Sequence, residues 1–101
     1  MTYKVEILSE AQMEIREIVE YLAKVLKNPQ AAIGFIEEFQ NQADLIRSNP
    51  EIFAVSRVVE LAAKGYRAAF IKNYVMLYTV RHDTVFIAHI FHQRQDYFRL
   101  V

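Results

Sequence analysis

The chain has 101 residues, 12 Lys/Arg against 12 Asp/Glu, and a hydrophobic fraction of 53%. That suits one compact domain over residues 1–101 with a real core, and it argues against disorder, low complexity or a second domain. The absence of Cys excludes disulfides, thiolate nucleophiles and Cys-based zinc sites. No apolar run approaches the roughly 18 residues a membrane span needs.

Tyr3-Lys4-Val5-Glu6-Ile7 alternates apolar and polar residues, the period of a half-buried strand. The N-terminus carries no apolar stretch of the signal-peptide kind, so a cytoplasmic chain is expected. Ser9 then opens a helix. With Gln12 three residues on, it is expected to form a capping box in which each side chain satisfies the other's backbone N–H. Ile15, Ile18, Val19, Leu22, Val25 and Leu26 follow as one apolar stripe. Glu10, Glu14 and Glu17 near the start, and Lys24 and Lys27 near the end, complement the helix dipole.

Asn28-Pro29 predicts the N-cap and first residue of a second helix, and Asn49-Pro50 its end. Ala32, Phe35, Ile36, Phe39, Ala43 and Ile46 form its stripe. Gly34 costs about 1 kcal/mol against Ala there, which suggests a close approach between the two helices. The short connection implies an antiparallel hairpin.

Residues 50–65 are the least regular stretch, with one helical turn expected at Leu61-Ala62-Ala63-Lys64, closed by Gly65. Tyr66 to Lys72, Tyr74 to Val80 and Thr84 to Phe91 are rich in aromatic and β-branched residues. Lys72-Asn73 and His82-Asp83 stand between them as turns. The expected order is β-α-α-β-β-β: an α+β two-layer sandwich with the helical hairpin packed on a mainly antiparallel four-stranded sheet. The hairpin is the only cover the sequence offers.

The charges are unevenly spread. Residues 1–56 carry a net −4 and residues 57–101 a net +4, and the second half holds all three histidines. Two readings stay open: a basic half that faces an anionic partner, or two halves that complement each other within one fold.

This order, with Leu61-Ala62-Ala63-Lys64-Gly65-Tyr66-Arg67, Asn73-Tyr74-Val75-Met76-Leu77-Tyr78 and His92-Gln93-Arg94-Gln95-Asp96-Tyr97, resembles the RelE/ParE superfamily of type II toxin–antitoxin systems. The resemblance covers nearly the whole chain. It implies a toxin held inactive by a partly disordered antitoxin that wraps it. RelE-like members cut mRNA in the ribosomal decoding site, whereas ParE-like members share the fold and poison DNA gyrase. Neither branch implies a cofactor or metal.

Metal-free RNA cleavage needs a base for the 2′-hydroxyl, an acid for the 5′-oxygen and cations for the phosphorane. The resemblance places Arg67, which follows Gly-Tyr, on phosphate; the competing reading is an ion pair with a helix glutamate. His92 is the candidate acid or base, Arg94 a phosphate clamp, and Tyr97 a base platform or proton donor. Against this, Asp96 can pair with Arg94 to anchor the tail, and Tyr97 and Phe98 can close the core. Lys64 is a further phosphate candidate, and Glu60 shares its position before the sheet. His89, among Ala88, Ile90 and Phe91, reads as a packed, hydrogen-bonded histidine, and His82 as a solvated turn residue.

Ribosome-dependent mRNA cleavage is the leading expectation, with ribosome and mRNA as partners beside the antitoxin. Gyrase inhibition without an active site is the alternative, and a degenerate member that only binds its antitoxin is a third. Two features run against cleavage. The chain is neutral although phosphate contacts dominate nucleic-acid affinity. The segment Pro50 to Gly65 holds only Arg57 and Lys64 where mRNA-cutting relatives carry a lysine-rich loop.

Overall fold

The computed structural model describes residues 2–95. The elements are β1 (Lys4–Ile7), α1 (Ser9–Glu20) continued by a wide π-helical turn (Tyr21–Val25), α2 (Pro29–Ser48), α3 (Val59–Ala63), β2 (Arg67–Ile71), β3 (Tyr74–Arg81) and β4 (Thr84–His92). They form the expected α+β fold. The sheet order is β1-β4-β3-β2, with β1 parallel to β4 and the other pairs antiparallel.

Helix starts and stops follow local chemistry, with one correction. Asn28 caps α2 as expected, its side chain accepting from Ala31 N at 3.1 Å, and Pro29 opens the helix. Ser9 is not a cap. The Leu8 N–H still donates to the Ile87 carbonyl at 2.9 Å, so the chain leaves the sheet at Leu8, which becomes the residue before the helix. Gln12 Nε2 instead donates to the Ile7 carbonyl at 2.8 Å. The first helix also widens at its end: Leu26 N reaches back five residues to the Tyr21 carbonyl, and Lys27 takes a positive φ of 51°. Wide turns of this kind recur at functional sites.

The core lies between the helices and one sheet face. Phe35, Phe39, Ala43 and Ile46 of α2 pack on Ile71, Met76, Tyr78, Val85, Ile87 and Ile90. The hairpin is not the only cover. Leu61 of α3 is fully buried against Val75, Leu77 and Phe91 on the opposite face. Burying one such leucine contributes about 1.5–3 kcal/mol, enough to hold a single helical turn in place. Gly34 does not serve helix–helix contact either. A Cβ there would lie 3.1 Å from Lys72 Nζ, in the β2–β3 turn.

One irregularity in β4 positions His89. Leu77 pairs with His89 but Tyr78 with Ile87, so Ala88 is an extra, bulged residue. Without it, Ile87 and His89 would share a face. With it, Ile87 joins the helix-side core and His89 shares the other face with Leu77, the re-aiming that bulges commonly produce.

Candidate functional site

A broad concavity lies between the end of the first helix and the sheet end where β2 turns into β3. It measures about 840 Å³. Ile18, Leu22, Leu26, Phe35 and Ile90 give it an apolar floor, Glu14, Glu17 and Tyr21 line the helix side, and Lys72, Asn73, Tyr74, His92 and Gln95 line the sheet side. The aromatic chain is continuous: Phe35 meets Tyr74 edge-on at 5.2 Å between centroids, and Tyr74 meets His92 edge-on at 5.4 Å. Burial pushes the Tyr74 phenol above its ordinary range, with the Tyr21 charge adding to it.

His92 is half-buried at the rim. Its Nδ1 accepts from Arg94 N at 3.2 Å, and its own N–H donates to Gln95 Oε1 at 3.0 Å. The ring is therefore fixed by its own turn and keeps Nε2 for other partners. Arg94 stands beside it, exposed. Tyr97 and Asp96 lie outside the described residues.

Arg67 is elsewhere. It pairs across the sheet with Tyr78, whereas His92 pairs with Tyr74. Those tyrosines are four residues apart on β3, roughly 13 Å, and β2 and β4 flank β3 roughly 10 Å apart, which sets the Arg67 and His92 Cα atoms about 16 Å apart. The Arg67 guanidinium also has an occupation: Nη1 donates to the Phe53 carbonyl at 2.7 Å. Next to it the fully buried Tyr78 donates its hydroxyl to the Pro50 carbonyl at 2.7 Å. Burial pushes the Tyr78 phenol up to about 12, against the pull of the Arg67 charge. Arg67 and Tyr78 thus tie residues 50–53 to the sheet. Lys64 and Glu60 are exposed on and beside α3, over the sheet face opposite the helical hairpin.

The structure brings together groups that the sequence reading kept apart. His89 is packed and hydrogen-bonded, as expected, and its partners lie on α1. Nδ1 is 3.3 Å from Glu14 Oε2 and 3.7 Å from Glu10 Oε2, and the ring stacks on Phe91. The other Glu14 oxygen accepts from Ile90 N at 2.9 Å. Since β1 ends at Ile7, β4 has no strand on its β1 side at Ile90, and Glu14 caps that donor. Burial raises the Glu14 carboxyl above its ordinary range, partly offset by the Ile90 and His89 bonds. The sequence showed Glu14 only as a charge favoured near a helix N-terminus. The bulge that brings His89 to it leaves no local signature. Among the described residues no group of three or more His, Cys, Asp or Glu side chains is arranged to hold a metal ion. No described helix is long and apolar enough to cross a membrane.

Comparisons with known proteins agree with this fold. The family model for the ParE toxin of the type II toxin–antitoxin system parDE matches residues 5–97. No curated protein matches. Among solved structures, a chain of the chromosomal ParDE toxin–antitoxin system from P. aeruginosa superposes with a TM-score of 0.71 at 16% identity, covering 90% of this chain and 96% of that one. A chain of the RelBE2 toxin–antitoxin complex from Mycobacterium tuberculosis gives 0.60 at 18% identity, covering 91% and 99%.

Proposed function

Because this chain belongs to the ParE toxin family of type II toxin–antitoxin systems, we propose that it is a toxin that acts by binding its target, DNA gyrase, and not by cutting RNA. One observation supports this reading: among the described residues Arg67, the first candidate for phosphate contact, stands apart from His92 and Arg94. Acid, base and phosphate clamp must all lie within hydrogen-bond reach of a single phosphate. The Arg67 and His92 Cα atoms stand about 16 Å apart on the two strands that flank β3, and the Arg67 guanidinium donates to Phe53. His92 with Arg94 can present a donor and a charge on a protein-binding rim without any proton transfer.

The antitoxin is proposed to cover the groove between α1 and β4. Its apolar floor suits an amphipathic segment that folds on binding, and Lys72 and His92 on the sheet side suit acidic side chains in that segment. The test of target is direct. The purified chain is added to a gyrase supercoiling reaction and, separately, to translating ribosomes charged with mRNA. Inhibited supercoiling, retained by Arg67→Lys, with intact mRNA is the expected result. Ribosome-dependent cuts that vanish in His92→Ala would overturn the proposal in favour of cleavage.

A further inference from the structure

The second long edge of the sheet is incomplete in a particular way. In β2, the residues that turn their backbone away from β3 are Tyr66, Ala68 and Phe70, because the Tyr66 carbonyl accepts from Ser56 N at 2.9 Å and Ala68 N donates to the Ala54 carbonyl at 3.2 Å. Residues 54–56 therefore act as a short edge cover, with Val55 bridged to Arg67. The cover stops at Ala68. Beyond it the Ala68 carbonyl and both backbone groups of Phe70 have no hydrogen-bond partner among the described residues. The Phe70 ring is 52% exposed on the face opposite the helical hairpin. An open edge carrying an exposed aromatic is the arrangement that natural sheets ordinarily blunt with charge, proline or a bulge.

We propose that this edge pairs with the same edge of a second copy of the chain, β2 against β2, on a two-fold axis through Phe70. The shape of the gap selects that occupant. In an antiparallel ladder, a residue with both backbone groups turned outward exchanges two hydrogen bonds with the residue directly opposite. Phe70 is such a residue, so it can sit opposite its own copy, as an isologous contact requires. The free Ala68 carbonyl of each copy then faces Lys72 of the other. A long strand from another protein would continue past Ala68 and collide with residues 54–56. A second β2 does not, because its chain turns back at Lys72-Asn73, where the cover begins. The two Phe70 rings fall side by side on one face, the favourable arrangement for an aromatic cross-strand pair.

The contact is small, so the dimer belongs to the weak, concentration-dependent class. It is independent of whether the target is gyrase or mRNA.

Because the chain has no cysteine, one substitution introduces the only thiol. Directly opposed Cα atoms in a hydrogen-bonded pair lie about 5.5 Å apart, within disulfide range. Phe70→Cys is expected to form a cross-linked dimer under mild oxidant at least about tenfold faster than Val59→Cys, which has only random collisions to rely on. Sedimentation velocity of the unmodified chain from roughly 5 to 500 µM should show a rising weight-average size, and Phe70→Asp should abolish the rise. A chain that stays monomeric throughout, with Phe70→Cys no faster than Val59→Cys, would overturn the proposal. So would a dimer that survives Phe70→Asp unchanged, because it would use another surface.

Discussion

Replacing Arg67 by Ala separates a tethering role from a phosphate-binding one. The guanidinium donates one charge-assisted bond to the Phe53 carbonyl at 2.7 Å from a half-buried position. Bonds of this kind contribute about 1.5–3 kcal/mol, and partial exposure places this one near 1.5 kcal/mol. Phe53 packs against the main core, so loss of the bond loosens the entry to residues 54–56 and the edge they cover. In a domain of this size about 1.5 kcal/mol corresponds to a melting temperature lower by roughly 6–12 °C. Urea unfolding followed by circular dichroism should show a lower midpoint with an unchanged slope, and Arg67→Lys should recover part of the loss. The reasoning fails if Arg67→Ala costs under about 0.5 kcal/mol while abolishing growth arrest, since that pattern belongs to a side chain whose work is done on a ligand.

Tyr78→Phe removes the donor to the Pro50 carbonyl and leaves that acceptor buried, at an expected cost of about 1–3 kcal/mol by urea unfolding. The Tyr78 phenol is pushed up to about 12 from 10.0. Its contribution is therefore complete below about pH 10 and is lost as pH rises toward 12, so Tyr78→Phe should flatten the alkaline limb of the stability curve. Gly34→Ala should stabilise by up to about 1 kcal/mol, since the only close neighbour of the new methyl among the described residues is the flexible end of Lys72; a destabilised variant would mean that Lys72 is held rigidly. Glu14→Gln keeps an acceptor for Ile90 N and removes a charge that burial disfavours. Because the carboxyl is raised, the wild type loses stability as pH climbs through its folded pKa, so the variant should be at least as stable at pH 7, with the difference vanishing at acid pH. A marked loss at pH 7 would show that the carboxylate's contact with His89 outweighs the burial cost.

Much of the fold was legible because its signals are local. The Asn28-Pro29 cap, the Asn49-Pro50 stop, the turn closed by Gly65 and the two tight hairpins are each written within a few residues, and all stand where expected. What was not legible depends on partners distant in sequence. Ser9 looks like a cap until the Leu8 N–H is seen to belong to β4. Leu61 looks like a lone turn residue until it meets Val75, Leu77 and Phe91. The Ala88 bulge arises from pairing with β3 and has no residue signature. The candidate site shares this limit. The family resemblance suggested Arg67 and His92 as co-workers, but only the register on β3 sets how far apart they stand.

The most direct test of target binding without cleavage is brief induction in cells, with mRNA integrity read by primer extension and plasmid topology read from the same samples. Relaxed or broken DNA with intact translated mRNA is the predicted result. Rapid cuts within translated mRNA that disappear when translation is blocked, with DNA supercoiling preserved, would contradict the account and return Arg67 and His92 to an active site.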